Sequence, residues 1–501
     1  MNVRMVWQPS TSLLPWLTVV LLAGCQVGED QDSTTFGVSG SPDVTDTGDG
    51  NGDGDVTETS GDGDGDATTA GSGDGDGDGD GDATSAGDGD GDATSAGDAT
   101  SAGDGDGDGD GDGDGNDLPG GIDRLEDPVV LLGAQLPGLT GESVGDLVAF
   151  AREGGAWVQV PVQVDERVVQ DFCEVYGKSS GLWTGSPACK TDQVVTALFY
   201  ADSQTFTGPD TDPLLDADDE LVFMARDAGD RVGTWTDPAG VVAGSGVELE
   251  LVDGGNTGYV YLFVRQDPGI DPGAGQDYVS YTFSLDGGIN YLTDYDLYGY
   301  NCGGDNGVCT PQTEDSTVQS ASYRHHFSAR WLTDDLRITA GSATGVDILD
   351  VHQARFDPSS CGRHVLTFST AEGAYIVNKD GPVRALRSYI GANSGPLTQR
   401  VHQFYDHRED ITTHLRVHSL AKGIMDIFDY STEAIGMVYT NDLNPGGLTI
   451  DGVSEVADES ALPAWEIVTG PQGSLVMTGA VDASFNVDFS HFYWADEAPP
   501  S

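Results

Sequence analysis

The chain has 501 residues and a formal net charge of −63, since its 84 acidic residues greatly outnumber its 21 Lys and Arg residues. A charge of this size repels a phosphate backbone, so nucleic acid is excluded as an expected partner. Acidity of this kind also keeps proteins soluble, so it does not by itself identify a ligand.

Residues 1–25 have the features of an export segment. Arg4 precedes an apolar run that ends at Leu22 and is too short to span a bilayer as a helix, which needs about 20 residues. The run closes with the tetrapeptide Leu-Ala-Gly-Cys, in which the cysteine is Cys25. This tetrapeptide resembles the lipobox of bacterial lipoproteins, and the resemblance implies removal of the preceding segment and acylation of Cys25.

The residue after the lipobox cysteine implies a location. In the lipoprotein family an Asp there tends to retain the protein at the inner membrane, whereas this chain has Gln26. The resemblance therefore implies a lipid-anchored protein at the outer membrane or cell surface of a Gram-negative bacterium. The membrane is then a partner, because several acyl chains together anchor a protein stably.

Residues 26–119 form a low-complexity segment in which Gly and Asp alternate. Residues 26–120 contain 28 acidic residues and no Lys or Arg, and no apolar position repeats, so a solenoid is excluded. Low hydrophobicity and like charge predict a disordered tether, which would span roughly 55 Å as a neutral flexible chain and at most about 310 Å when extended. A calcium-folded module is the alternative, but an EF-hand loop beginning at Asp49 would have Ser60 in place of its final Glu.

Residues 120–501 predict an all-β fold, because short segments of alternating apolar and polar residues lie between turn signals. Trp157–Asp165 is one such strand, and Pro161 within it indicates an edge or a bulge. Ser143–Arg152 is the best candidate for a short helix. Strands are also predicted at residues 194–200, 220–226, 246–252, 259–265, 278–285, 323–332, 336–339, 345–351, 365–369, 383–390, 411–418, 424–430, 437–441, 465–470, 474–480 and 489–493.

The strand count predicts one large or two packed β-sandwiches. We place a boundary near Gly287–Gly288, which divides the folded part into a β-sandwich domain at residues 120–287 and a second sandwich or supersandwich-like domain at residues 288–501. A single large sandwich is the alternative.

The cysteines after Cys25 are candidates for disulfides, because an exported protein is expected to be mostly oxidised. Their number is odd, so at least one is left free or pairs between chains. A local disulfide between the first two, across a Gly/Ser-rich loop, is the preferred pairing. The candidates are Cys173, Cys189, Cys302, Cys309 and Cys361.

The first candidate site is a polar strand face. If residues 411–418 form a strand, His414, Arg416 and His418 point to the same side. Such a face suits an anionic or neutral sugar, because Arg binds carboxylates bidentately and His or Tyr exchanges protons. It also permits metal ligation by the two imidazoles, and a solvated or structurally hydrogen-bonded strand face is the structural alternative. The further candidates near this face are Arg384, Arg400, His402 and Tyr405.

The second candidate site is an acidic loop whose carboxylates repel one another unless a cation or basic groups intervene. Ca²⁺ is therefore the one cofactor that the sequence suggests, and an acidic turn before a strand is the alternative. The candidate ligands are Asp212, Asp216, Asp218, Asp219 and Glu220.

A turn in the second half carries a further resemblance. Residues 379–385 read Lys-Asp-Gly-Pro-Val-Arg-Ala, which resembles the Gly-Pro-Val-Arg turn of galactose-mutarotase-like supersandwich proteins, including lyase-associated domains. The resemblance implies a carbohydrate ligand.

These observations together predict a surface-tethered lipoprotein whose β-rich part binds a glycan or another extracellular ligand, such as an envelope component. One alternative is a polysaccharide lyase or hydrolase that acts on an acidic polysaccharide through His414, Arg416, His418 and Tyr405. A second alternative is a structural or adhesive envelope protein, which a buried His/Arg face would favour.

Overall fold

The structure is a computed structural model that describes residues 2–4, 122–171, 175, 196–285, 314–340, 344–356, 374–390, 398–415, 424–453 and 456–480. The described residues belong to one compact unit and form β-strands joined by turns and short 3-10 segments, which confirms the all-β prediction. No helix in this part of the chain is long and apolar enough to cross a membrane. The predicted linker and all the cysteines lie outside the described residues.

The first ten strands, in chain order, are β1 (Asn2–Arg4), β2 (Pro128–Leu132), β3 (Leu147–Glu153), β4 (Ala156–Val160), β5 (Gln163–Asp165), β6 (Arg167–Asp171), β7 (Thr196–Tyr200), β8 (Glu220–Met224), β9 (Val247–Asp253) and β10 (Asn256–Val264). They form a five-stranded sheet of order β1-β9-β10-β3-β4, a three-stranded sheet of order β2-β8-β5, and the β6-β7 pair. β1 lies in the segment predicted to be removed, so cleavage would leave β9 at the edge of its sheet.

The five-stranded sheet is covered on both faces. Along β10, Val260 and Leu262 pack into the apolar core that the two larger sheets share. The intervening Tyr261 and Phe263 contact a second apolar cluster, which includes Trp157 and Trp235 from outside β10. Because successive side chains of a strand point to opposite faces, an almost uninterrupted apolar strand is what such a two-sided layer requires.

β8 is the central strand of the middle layer, and all five of its residues are buried. Leu221 and Phe223 face the five-stranded sheet. Val222 and Met224 face the other way and contact Tyr278, Val383 and Tyr405 from the second half of the chain. The three-stranded sheet therefore lies between the five-stranded sheet and the later strands.

The remaining strands are β11 (Val279–Thr282), β12 (Ser316–Ser320), β13 (Tyr323–Ala329), β14 (Leu332–Ile338), β15 (Leu349–Phe356), β16 (Ala374–Lys379), β17 (Ala385–Ile390), β18 (Thr398–Phe404), β19 (Glu409–Leu415), β20 (Ile424–Tyr430), β21 (Val438–Asn441), β22 (Leu448–Thr449), β23 (Glu466–Gly470) and β24 (Gly473–Met477). They form sheets of order β11-β12-β13-β14-β15-β20, β16-β17-β18-β19 and β22-β21-β23-β24.

The six-stranded sheet and the β16-β17-β18-β19 sheet pack face to face as a sandwich. Val318 and Phe327 from the six-stranded sheet meet Ala385 and Phe404 from β17 and β18. The sheet of β21–β24 covers a different part of the six-stranded sheet, where Met437 and Val468 share a core with Leu336.

Three local predictions are wrong, and one of them is the single strand predicted at 323–332, which runs across the turn between β13 and β14. The helix predicted at Ser143–Arg152 is a 3-10 turn, Val144–Asp146, followed by β3, because its apolar residues are buried on both faces of the sheet rather than along one stripe. The strand predicted at Trp157–Asp165 is two strands in two different sheets. The break falls at Pro161, which has no N–H for a sheet ladder.

The predicted boundary at Gly287–Gly288 lies outside the described residues and stays a prediction. Hydrogen bonds do cross between its two sides: Thr205 and Thr207 donate to the carbonyl of Ile376, and Gln163 accepts from the amides of Val383 and Arg384. The two halves are therefore joined by specific polar contacts within one compact unit.

Shortening a valine in the two-sheet core should destabilise the fold. Val260 is 0% exposed, whereas Val169 is 62% exposed. We expect Val260→Ala to lower the free energy of unfolding by about 2 kcal/mol, because it loses buried area and leaves a cavity. Val169→Ala makes the same chemical change at the surface and should alter it by less than about 0.5 kcal/mol. Urea unfolding followed by tryptophan fluorescence measures both, and equal losses would contradict the placement of Val260.

Candidate functional site

Arg384 lies just before β17 and its side chain is fully buried. Its Nε donates to Asp165 Oδ2 at 2.8 Å, and its Nη2 donates to Glu220 Oε2 at 2.6 Å. Nη1 donates to the hydroxyl oxygen of Tyr405 at 3.2 Å. The guanidinium therefore uses all three nitrogens on groups of the protein itself.

The two carboxylates that Arg384 binds lie opposite each other. Asp165 on β5 pairs with Glu220 on β8, so their side chains share one face of the middle sheet. Directly opposed like charges destabilise a sheet unless cations separate them. Here Arg167 Nη1 is 2.8 Å from Glu220 Oε1, and Lys379 Nζ is 2.8 Å from Asp165 Oδ1. Three cations thus hold two carboxylates at this layer boundary.

The pKa of Asp165 agrees with this arrangement of charges. Burial alone would raise the pKa of Asp165, but the charges of Lys379 and Arg384 outweigh it and lower that pKa to about 2. Asp165 therefore stays ionised at neutral pH although it is buried.

Arg400 and His402 point into the second sandwich. Arg400 makes a bidentate ion pair with Asp426 on β20, with Nη1–Oδ1 at 2.8 Å and Nη2–Oδ2 at 2.7 Å. His352 Nε2 is 3.1 Å from Asp426 Oδ1, and the Arg400 guanidinium lies over the ring of Trp331. Charge-assisted bidentate pairs of this kind fix the relative positions of the two strands that carry them.

His402 belongs to a neutral network in the same interior. Its Nε2 is 2.8 Å from the Tyr389 hydroxyl, and its Nδ1 is 2.7 Å from Glu409 Oε1. Burial, reinforced by the charges of Arg400 and Arg387, lowers the pKa of His402 well below its usual range. Burial raises the pKa of Glu409 to about 8. Both shifts favour a hydrogen bond between a carboxylic acid and a neutral imidazole over an ion pair at this contact.

A third buried pair completes the interior. Arg387 and Glu314 are both fully buried and form a two-pronged ion pair, and Tyr375 donates a hydrogen bond to the same carboxylate. Glu314 was not predicted as a partner of this strand, because its pairing with β17 joins residues that are 73 positions apart.

The predicted polar face is divided by the sheet. Arg400 pairs with Thr413, and His402 pairs with Ile411, so these two candidates lie on the opposite side of the sheet from His414. The prediction of one open face is therefore wrong for Arg384, Arg400, His402 and Tyr405, which are all at most 2% exposed. The reason is that each is needed as an ionic or hydrogen-bonding partner inside the fold.

His414 is the remaining described member of the predicted face. It lies on β19, is half-buried, and has interactions within the protein. Arg416 and His418 lie outside the described residues, so their grouping with His414 stays a prediction.

The carboxylates of the acidic loop differ in their surroundings. Asp219 accepts hydrogen bonds from the amides of Arg167 and Asp216, while Glu220 binds Arg384 and Arg167. Asp216 accepts from the amide of Asp218, and Asp212 is exposed. Backbone amides and basic side chains therefore already bind Asp216, Asp219 and Glu220, while the Ca²⁺ ligand set predicted from the sequence stays a prediction.

Burial, and then the hydrogen bond and charge of Asp216, raise the pKa of Asp218 to about 6. This pair of carboxylates is the part of the loop that keeps the mutual repulsion expected from the sequence. Among the described residues, the one group of three or more His, Asp and Glu side chains with converging ligand atoms is elsewhere, at Glu126, Asp406 and His407.

Comparison with known proteins adds no assignment. No protein-family model matches the chain, and no curated protein or solved structure matches it significantly.

Removing the Arg384 guanidinium should be strongly destabilising. Arg384→Met keeps much of the side-chain volume but leaves Asp165 and Glu220 facing each other in the interior. We expect it to cost about 3–5 kcal/mol of unfolding free energy, the usual effect of removing one partner of a buried ion pair. Arg231→Met is the control, because the Arg231 side chain is 58% exposed and its ion pair is long. In urea unfolding, the control should lose less than about 1 kcal/mol of unfolding free energy. A similar loss for both variants would refute the role assigned to Arg384.

Glu409→Gln should change how stability depends on pH. Because the folded-state pKa of Glu409, about 8, lies above its usual value of 4.5, folding favours the protonated form. That contribution is complete below about pH 4.5 and is lost as the pH rises through about 8. Gln cannot ionise, so the stability of the variant relative to the wild type should increase between pH 5 and pH 8.

The control for this measurement is Glu142→Gln, at an exposed glutamate. The difference in unfolding free energy between this variant and the wild type should stay constant across the same pH range. Urea unfolding at several pH values measures all three proteins, and a constant difference for Glu409→Gln would contradict a protonated Glu409.

Proposed function

We propose that the chain is a lipid-anchored envelope protein that presents a rigid β-sandwich module with a structural or adhesive role. The observation that carries the proposal is the burial of Arg384, Arg400 and His402 in internal polar contacts. Buried ion pairs with complete hydrogen bonding hold strands in fixed positions, and their members are not available to a ligand.

Anchoring is proposed from the N-terminal sequence. The Leu-Ala-Gly-Cys tetrapeptide that ends at Cys25 supports acylation, and the Gly/Asp segment that follows supports a charged spacer. A module presented on such a spacer would reach targets beyond the membrane surface. We accordingly propose a location at the outer membrane or cell surface of a Gram-negative bacterium.

The burial of Arg384 argues against one of the sequence-based ligand predictions. In the Gly-Pro-Val-Arg segment, the arginine binds Asp165 and Glu220 instead of pointing to solvent. Tyr405 is also buried, and its hydroxyl accepts a hydrogen bond from Arg384. A lyase mechanism that uses Tyr405 as a proton-exchanging group would need access that this position lacks.

Ligand binding through the end of β19 is the second candidate function. It is favoured by His414, which is half-buried on the side of the sheet opposite the buried Arg400 and His402. A glycan or another envelope component would bind there together with Arg416 and His418. Binding of the full chain to isolated envelope polysaccharide, and its loss in His414→Ala, would favour this candidate over a structural role.

The anchor is tested by Cys25→Ala in a Gram-negative host. We expect the wild type to incorporate labelled palmitate and to sediment with the outer membrane, whereas the variant should incorporate none and appear in soluble fractions. Cys361→Ala is the control, since it removes a cysteine outside the lipobox. Palmitate incorporation into Cys25→Ala would overturn the anchoring proposal.

The non-enzymatic role is tested separately with the purified wild-type chain. Incubation with acidic polysaccharides should release neither unsaturated nor reducing ends, whereas attachment or envelope integrity should differ between cells with the wild type and cells with Cys25→Ala. Cleavage of the polysaccharide that depends on His414 would instead establish the polysaccharide lyase or hydrolase alternative.

A further inference from the structure

A cluster of three residues lies where the segment before β2 meets the turn between β18 and β19. Glu126 precedes β2, while Asp406 and His407 lie between β18 and β19. His407 Nδ1 is 2.9 Å from Glu126 Oε2 and 3.2 Å from Asp406 Oδ2. One ligand atom from each residue lies within 4.8 Å of the other two.

Glu126 is half-exposed, but its Oε2 is shielded and faces His407 Nδ1 without a hydrogen bond of good geometry. A buried carboxylate oxygen normally has a partner, and leaving one without a donor is costly. A cation bound between these two atoms would remove that cost.

Asp406 supplies a fixed second oxygen. Its side chain is almost fully buried, and its Oδ1 accepts a hydrogen bond from the amide of Ala321. Oδ2 is thereby oriented toward His407, and Arg226 Nη1 is 3.6 Å away from it. Arg226 binds Glu126 through Oε1, the other oxygen of that carboxylate. One guanidinium therefore balances one of the two negative charges, and His407 Nδ1 is the group that faces Glu126 Oε2.

We propose that Glu126 Oε2, Asp406 Oδ2 and His407 Nδ1 bind a divalent transition-metal ion of the Zn²⁺ type. Imidazole nitrogen is a good ligand for Zn²⁺, whereas Ca²⁺ and Mg²⁺ prefer oxygen alone. Ligands about 2.1 Å from a tetrahedral Zn²⁺ lie about 3.4 Å from one another, so the two separations at His407 would widen slightly around the ion. Water completes the fourth position, and any proton on Nδ1 passes to solvent when the metal binds.

The ion joins two parts of the fold that are distant in sequence. Glu126 belongs to the segment through which the chain enters the described fold, and the β18–β19 turn belongs to the second sandwich. A metal bound by both fixes this entry segment against the later strands. Because it binds the folded state, it also raises the stability of that state.

The test is zinc binding to the full-length chain, made without a histidine tag, purified in detergent and stripped with a chelator. Isothermal titration with Zn²⁺ should reveal a site that Glu126→Gln and His407→Gln each weaken at least tenfold. Zinc-edge X-ray absorption of the wild type should include an imidazole signal that His407→Gln reduces. Excess Ca²⁺ should not compete for the site.

His326→Gln is the matched control. His326 also lies between two carboxylates, but its Nδ1 faces Asp334 and its Nε2 faces Asp315, so the three groups cannot converge on one ion. This variant should bind Zn²⁺ like the wild type. The proposal is overturned if the wild type binds no stoichiometric Zn²⁺, if His407→Gln binds it equally well, or if His326→Gln loses as much affinity.

Folding of each variant is checked by circular dichroism before titration. If His407→Gln does not fold, Glu126→Gln decides the question, since Glu126 is half-exposed and its amide variant keeps the same shape. Retained wild-type affinity in a folded Glu126→Gln protein would overturn the site.

Discussion

The ion-pair network around Arg384 is the constraint on which the relation between the two halves depends. β5 and β8 place Asp165 and Glu220 side by side on the face of the middle sheet, and neither charge would be tolerated there alone. Arg384 arrives from the second half of the chain and binds both. The apolar contacts of Val222 and Met224 form beside that guanidinium. A displaced Arg384 would be buried without its two partners and would leave Asp165 and Glu220 with one cation each.

The second sandwich also contains buried ion pairs that join strands, formed by different residues. Arg387 with Glu314, and Arg400 with Asp426, join the four-stranded sheet to the six-stranded sheet across an interior that would otherwise be apolar. Such pairs add little net stability compared with hydrophobic contacts, but a slip of one residue would separate every charge from its partner. We infer that the buried ion pairs mainly specify strand register, while the apolar clusters supply most of the stabilisation.

The sequence predicts strands well and sheets poorly. Period-two patterns located most of the described strands, since alternation is a local property of the chain. Pro161 was recognised as an interruption, yet nothing local indicates that the strands on its two sides join different sheets. The error at Leu147–Glu153 has a related cause: a strand buried on both faces loses its alternation and is easily taken for part of a helix.

The candidate site illustrates the same limit. The concentration of His and Arg between residues 384 and 418 was visible in the sequence, but whether these residues face solvent depends on partners far away in the chain. Asp165 is 219 residues from Arg384, and Asp426 belongs to a different sheet from Arg400. The alternation of side chains along a strand could have placed His402 and His414 on opposite faces only if the β18–β19 register had been known. The cluster at Glu126 and His407 was missed because its members are distant in sequence and unremarkable individually.

The position of β2 has a mechanical consequence. If the protein is anchored through Cys25, any pull on the module enters through the segment before Pro128, and β2 is the first strand to receive it. All five residues of β2 pair with β8, whose hydrogen bonds run perpendicular to the strand direction. A pull along β2 therefore loads these bonds together, as in shear, whereas a pull across it would open them one by one. The direction of the load then affects how much force the module withstands before it unfolds on its anchor.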